Sequence, residues 1–194
     1  MKKNLLRKAI YLILFTALTG CFIFISEKYK DNSKEVKITI TDYHKSFDVD
    51  TYEVIGGTKF ISLLQNSNSI ILIGSKTSEW SKYYMENINK IIEELNINKV
   101  YYYDINNDKA QKNSNYYEIK RLLKGSLTTT DGSKSNLLAP SFYILKDGEI
   151  AYYNTDTVAM KNTETPENYW TEDRKLEFNN EIKGAINNYY LNNK

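Results

Sequence analysis

The chain has 194 residues, room for one domain of ordinary size. Apolar residues make up 41% and charged residues 26%, a globular composition rather than a disordered one. Basic residues number 26 against 24 acidic, and four of the basic ones (Lys2, Lys3, Arg7, Lys8) precede the first apolar run, so the remainder is slightly acidic and not built for nucleic acid. One His and one Cys exclude a His/Cys metal site and an intrachain disulfide. Gly56-Gly57 stands alone as a turn, so no phosphate-binding glycine loop is present and no cofactor is expected.

Met1 to Lys8 is a basic start, and Ala9 to Ile25 is an uncharged run, the pattern of an export signal. Within it, Leu18-Thr19-Gly20-Cys21 resembles the lipobox of bacterial lipoproteins. That resemblance implies that Cys21 is lipidated and becomes the first residue of the mature chain. The apolar run continues through Phe22-Ile23-Phe24-Ile25 and reaches the shortest length that spans a bilayer, so an uncleaved signal anchor is the competing reading. Both place residues 26–194 on the extracytoplasmic face of the cell membrane, because the basic residues lie ahead of the run. Ser26 to Glu35 is a polar tether. The expected organisation is therefore an anchor at 1–25, a tether at 26–35 and a domain at 36–194.

Val36 to Thr41 alternates strictly and predicts a half-buried strand. Tyr52 to Ile55 is a second, weaker strand, and Thr58 is positioned to cap a helix through Gln65. Ile70 to Ile73 is a continuous aliphatic run ending at Gly74, the pattern of a strand covered on both faces. From Ser78 to Asn96, Tyr84, Ile88, Ile91, Ile92 and Leu95 recur at helical spacing. Val100 to Tyr103 is a strand ending in Asp104, a polar loop follows, and a helix from Ser114 to Lys124 stops at Gly125. Ser126 to Ala139 reads as irregular. Ser141–Leu145 and Glu149–Tyr153 flank Lys146-Asp147-Gly148, a strong hairpin signal. A loop containing Pro166 leads to an amphipathic helix from Glu172 to Leu191. Strands alternating with helices, then one hairpin, predict an α/β fold with a mixed sheet flanked by helices.

This order resembles the thioredoxin fold. Ile70 to Asp104 resembles its core of buried strand, turn, long helix and strand, and Ala139-Pro140-Ser141-Phe142 resembles its cis-proline segment. The likeness covers residues 50–192 and is nearest to small exported or membrane-anchored members of low-GC bacteria, including accessory proteins of bacteriocin systems. Members place Cys-x-x-Cys at the start of the long helix, where the helix N-terminus lowers a thiol pKa. Here the stretch is Ser78-Glu79-Trp80-Ser81, with serine at both cysteine positions. The resemblance implies a cis bond before Pro140 and a partner-binding face made by Glu79, Trp80, Ala139 and Pro140.

Other constellations carry less. Ser78 and Lys82 share a helix face, yet no oxyanion motif accompanies them, and Ser78 reads as a helix cap. His44 lies far from that stretch and reads as a surface or satisfied histidine. Asp104-x-Asn106-x-Asp108 opens like a calcium loop but lacks the Gly and Glu that an EF-hand needs, having Lys109 and Asn115 instead. Trp80 fits a ligand contact or a packed aromatic equally well. The expected function is a redox-inactive, membrane-tethered thioredoxin-like protein that binds a peptide or protein and carries no catalytic residue. The alternative is an accessory subunit of a thiol-disulfide oxidoreductase, or of a bacteriocin export or maturation system, using a partner's cysteines.

Overall fold

The computed structural model describes residues 39–45, 47–129, 135–155 and 165–192. Cys21, the tether and residues 36–38 lie outside them. Seven strands lie among the described residues: β1 (Tyr52–Ile55), β2 (Ser69–Gly74), β3 (Val100–Asp104), β4 (Thr128–Thr129), β5 (Ser135–Asn136), β6 (Ser141–Lys146) and β7 (Glu149–Asn154). The helices are α1 (Gly57–Gln65), α2 (Glu79–Glu94), α3 (Asn106–Gln111), α4 (Ser114–Leu122), α5 (Pro166–Tyr169) and α6 (Glu172–Ile186). Five strands form one sheet in the order β1-β3-β2-β6-β7, with β1, β3 and β2 parallel and β6 and β7 antiparallel to their neighbours. This is a mixed α/β fold, compatible with a thioredoxin-like one.

The aliphatic run of β2 is buried at all six positions because it occupies the middle of the sheet and is covered on both faces. Ile70 and Leu72 face α2 and α6, meeting Tyr84, Ile88, Phe178 and Ile182. Ile71 and Ile73 face α1 and α4, meeting Phe60 and Ile119. The two cores thus follow the period of two along one strand. The hairpin turns through Asp147 and Gly148, with φ of 52° and 81°, the left-handed pair a two-residue hairpin turn requires. A side chain at Gly148 would also meet the Gln65 carbonyl oxygen at 2.6 Å.

Several local expectations need correction. Ile40–Asp42 is a 3₁₀ turn and not the end of a strand, because Asp42 Oδ2 accepts the Thr39 N–H at 2.8 Å and the Asp42 N–H returns to the Thr39 carbonyl. Gly56 rather than Thr58 caps α1, and Gly57 begins it where Asp108 and Asn115 leave no room for a Cβ. The polar stretch after β3 is the short helix α3, whose first N–H is received by Asp104 Oδ1. The helix after Ser114 ends at Leu122, and Gly125 lies in a following 3₁₀ turn, Lys124–Ser126. The segment read as irregular contains the small β4–β5 ladder. Pro166 does not sit in a loop; it opens α5 behind the Thr165 cap. The last helix changes to a π-helical turn at Asn187–Leu191.

Candidate functional site

The chain leaves β2 at Gly74 and enters α2 after a four-residue turn, Ser75–Ser78, held by hydrogen bonds of its two serines. Ser75 is the centre of that turn. Its N–H donates to Ser81 Oγ at 3.1 Å, its carbonyl accepts the Ser78 N–H, and its hydroxyl donates to Asn106 Oδ1 at 3.0 Å. Ser78 caps α2, its hydroxyl oxygen receiving the Ser81 N–H at 3.3 Å, and Glu79 adds a carboxylate to the first turn. Ser81 is fully buried and Ser78 half-buried. Both serines therefore perform structural tasks that a hydroxyl does well. Among the described residues neither has a base beside it: the Lys82 N–H donates to the Ser78 carbonyl at 3.1 Å, as a helix backbone does, but the exposed Lys82 ammonium makes no hydrogen bond with the Ser78 hydroxyl.

Ala139 and Pro140 reach the same end of the sheet from the other side. Ser141 lies opposite Ile73 in the β2–β6 register, so Ala139-Pro140 continues beyond β2 alongside the turn into α2. The Ala139–Pro140 bond is cis. Pro140 is buried, and Ala139 packs on the core that faces α1 and α4. Among the described residues neither the N–H nor the C=O of Ala139 has a hydrogen-bond partner. Trp80 is half-exposed and packs edge-on against Tyr169 of α5, ring centres 5.8 Å apart. It rests on that helix and not on the sheet. Tyr83, one turn on, donates to Glu167 of α5 at 2.6 Å, which pushes its phenol up to about 12. The structure thus gathers Ser78, Glu79, Trp80 and Ser81 on one helical turn and sets Ala139 and Pro140 at the same sheet end.

Sequence reasoning missed the surroundings of His44. The imidazole is stacked on Phe47, centres 4.6 Å apart, and meets Tyr102 edge-on at 5.9 Å. Its Nε2 is buried without a hydrogen-bond partner, so it is neither on the surface nor satisfied. Burial first, and the charge of Lys82 second, lower its pKa to about 4, which keeps the ring neutral at pH 7. Tyr102 is fully buried, and its hydroxyl also lacks a partner. That hydroxyl lies over Gly74, where a Cβ would overlap the phenol oxygen and stand 2.6 Å from Cε2. A bare Cα is what lets Tyr102 lie under the entry to α2. The Asp-x-Asn-x-Asp signal dissolves in the same detail, because Asp108 accepts from Tyr103 and Asn113, each at 2.6 Å.

Among the described residues no group of three or more His, Cys, Asp or Glu stands close enough to hold a metal, and no helix is long and apolar enough to cross a membrane. No protein-family model matches the chain, and no curated protein matches it.

Proposed function

We propose that this protein is a redox-inactive, thioredoxin-like binding protein, held at the outer face of the cytoplasmic membrane through Cys21 or its apolar N-terminal run. It takes an extended peptide or protein segment at the sheet end where α2 begins. The observation that carries this reading is the free main chain of Ala139 beside a helix start whose serines are both engaged in capping and bracing. An extended segment pairs with such groups as an added strand does, and main-chain pairing tolerates many sequences. Trp80 and the exposed Glu79 then supply side-chain contacts.

Photo-crosslinking in the full-length, membrane-bound protein tests the face. A crosslinker at Glu79 is expected to trap one protein species, and a crosslinker at Lys146, at the opposite end of the sheet, is expected to trap none. The reverse pattern would move the binding face to the hairpin end. The anchor has its own test: a mature chain starting at residue 21 with a diacylglycerol mass supports lipidation, and an intact Met1 supports the signal anchor.

A further inference from the structure

Beside the start of α2 lies a cleft of about 290 Å³ that the main-chain pairing does not use. One wall is Tyr43, His44, Lys45 and Phe47, and the other is Lys82 and Glu86, one turn apart on α2. Its volume suits a single side chain rather than a free cofactor. Two groups in it are incompletely met, since Lys82 acts on the Glu167 carboxylate of α5 only at a distance and without a direct pair. His44 Nε2 is buried without a hydrogen-bond partner, and among the described residues the Lys82 ammonium forms no ion pair. A buried nitrogen left in that condition costs about 1–3 kcal/mol, a cost that a ligand able to accept its hydrogen would remove.

The wall is also packed from behind by aromatic rings. His44 is fixed between Phe47 and Tyr102, and Tyr102 packs on Tyr43 with ring centres 5.0 Å apart. Lys82 is the one charge that perturbs the imidazole, and it repels the protonated form. A single negative group between them would accept from Nε2, pair with the ammonium and cancel that repulsion. Tyr43 and Phe47 offer apolar surface to a methylene stem. Glu86, on the same cleft, opposes a second negative charge and so favours a carboxylate over a phosphate dianion.

We propose that this cleft receives the carboxylate of an Asp or Glu side chain from the bound segment, paired with Lys82 and hydrogen-bonded by His44. The inference rests on the peptide-binding reading above and adds to it a preference for acidic sequence.

His44 is the chain's one histidine, so its ring signals can be followed by NMR in the full-length protein in detergent micelles. N-acetyl-glutamate N-methylamide is expected to shift those signals saturably, and the glutamine analogue is not. Lys82→Gln, at an exposed position that should leave folding intact, is expected to weaken the effect about tenfold or more. The His44 titration midpoint should rise by about one pH unit with the probe bound. It should do so in a Glu86→Gln background as well, which separates the effect of the probe from that of the Glu86 carboxylate. A blocked five-residue peptide with central Glu should bind at least about tenfold tighter than the single-residue probe if the segment also pairs with the main chain. Equal affinities would assign the cleft to free small carboxylates and overturn the peptide source. No saturable shift, or an equal response to the glutamine analogue, would overturn the carboxylate site. If that occurs while the Glu79 crosslink succeeds, the cleft inference falls alone; if carboxylate binds and the crosslink fails, the peptide face falls alone.

Discussion

The main-chain N–H of Ser75 donates to Ser81 Oγ, joining the end of β2 to the first turn of α2 across 3.1 Å. A thiol at position 81 would accept that hydrogen weakly, so serine there suits the turn better than cysteine. The protein is expected to leave insulin disulfides intact. In Ser78→Cys/Ser81→Cys the half-buried residue 78, at the helix N-terminus, should be the reactive thiol. Its pKa should fall at least about one unit below the ordinary 8.5. The larger sulfur at the fully buried residue 81 should cost about 1 kcal/mol. Alkylation rate against pH reads the first effect and urea denaturation the second. Turnover by the unmodified protein would refute the assignment of redox silence.

Gly74 and Tyr102 form a second testable pair. Gly74→Ala forces a Cβ into the Tyr102 ring and should destabilise the fold by about 2 kcal/mol. Tyr102→Phe removes a buried hydroxyl that has no partner, so alone it should be neutral or slightly stabilising. Combined with Gly74→Ala it should recover only part of the loss, since Cε2 and Cζ still crowd the new methyl group. A double-mutant cycle in urea measures the coupling.

Acidification should act through His44. Its pKa is 6.5 in an unfolded chain and about 4 in the fold, so between these values the folded state binds fewer protons. The stabilisation is complete above about pH 6.5 and is lost as pH falls towards 4, by about 2 kcal/mol given the ring's partial exposure. Carboxylates such as Asp48 and Glu118, whose pKa values are lowered by hydrogen bonds, weaken the fold at still lower pH. The contribution of His44 is therefore the difference in urea midpoint between the wild type and His44→Gln at pH 7 and pH 4.5. Equal slopes for the two proteins would contradict it.

Asn154 ties the last strand to the last helix. Its Oδ1 accepts from Tyr84 at 2.9 Å and its Nδ2 donates to Glu181 at 3.1 Å. Asn154→Ala should cost about 2 kcal/mol and accelerate amide exchange in α6 more than in α4. Equal acceleration in both helices would show that the tie is not local.

Where periodicity was long and apolar, the fold was legible. The fully buried β2 and the stripe of α2 follow directly from Ile70–Ile73 and from Tyr84, Ile88, Ile91 and Ile92. The Asp-Gly hairpin was equally plain. Short polar elements were not. The alternation of Val36, Ile38 and Ile40 with polar residues reads as a strand, although Thr39 and Asp42 stand at capping-box spacing and signal the turn that forms at Ile40–Asp42. Asp104 capping Asn106 converted an apparent loop into α3. The Ser78–Ser81 turn was legible because its four residues are contiguous. The His44 cleft was not, because Phe47, Tyr102 and Lys82 come to that ring from separate parts of the chain, and pairings of that kind leave no local pattern.

The sheet order carries a consequence for biosynthesis. Ser69 pairs with Leu145 and Ile73 with Ser141, so one side of the central strand waits for residues near the far end of the chain. At ordinary elongation rates of about 5–20 residues per second, that aliphatic edge stays open on the order of ten seconds after β2 is made. No nearer strand of the main sheet can close it, since β1 and β3 occupy the opposite side. A nascent chain of this topology therefore spends that interval as an unfinished half-sheet with a sticky margin. Fragments that stop before residue 141 should be recovered with chaperones or in inclusion bodies rather than as soluble protein.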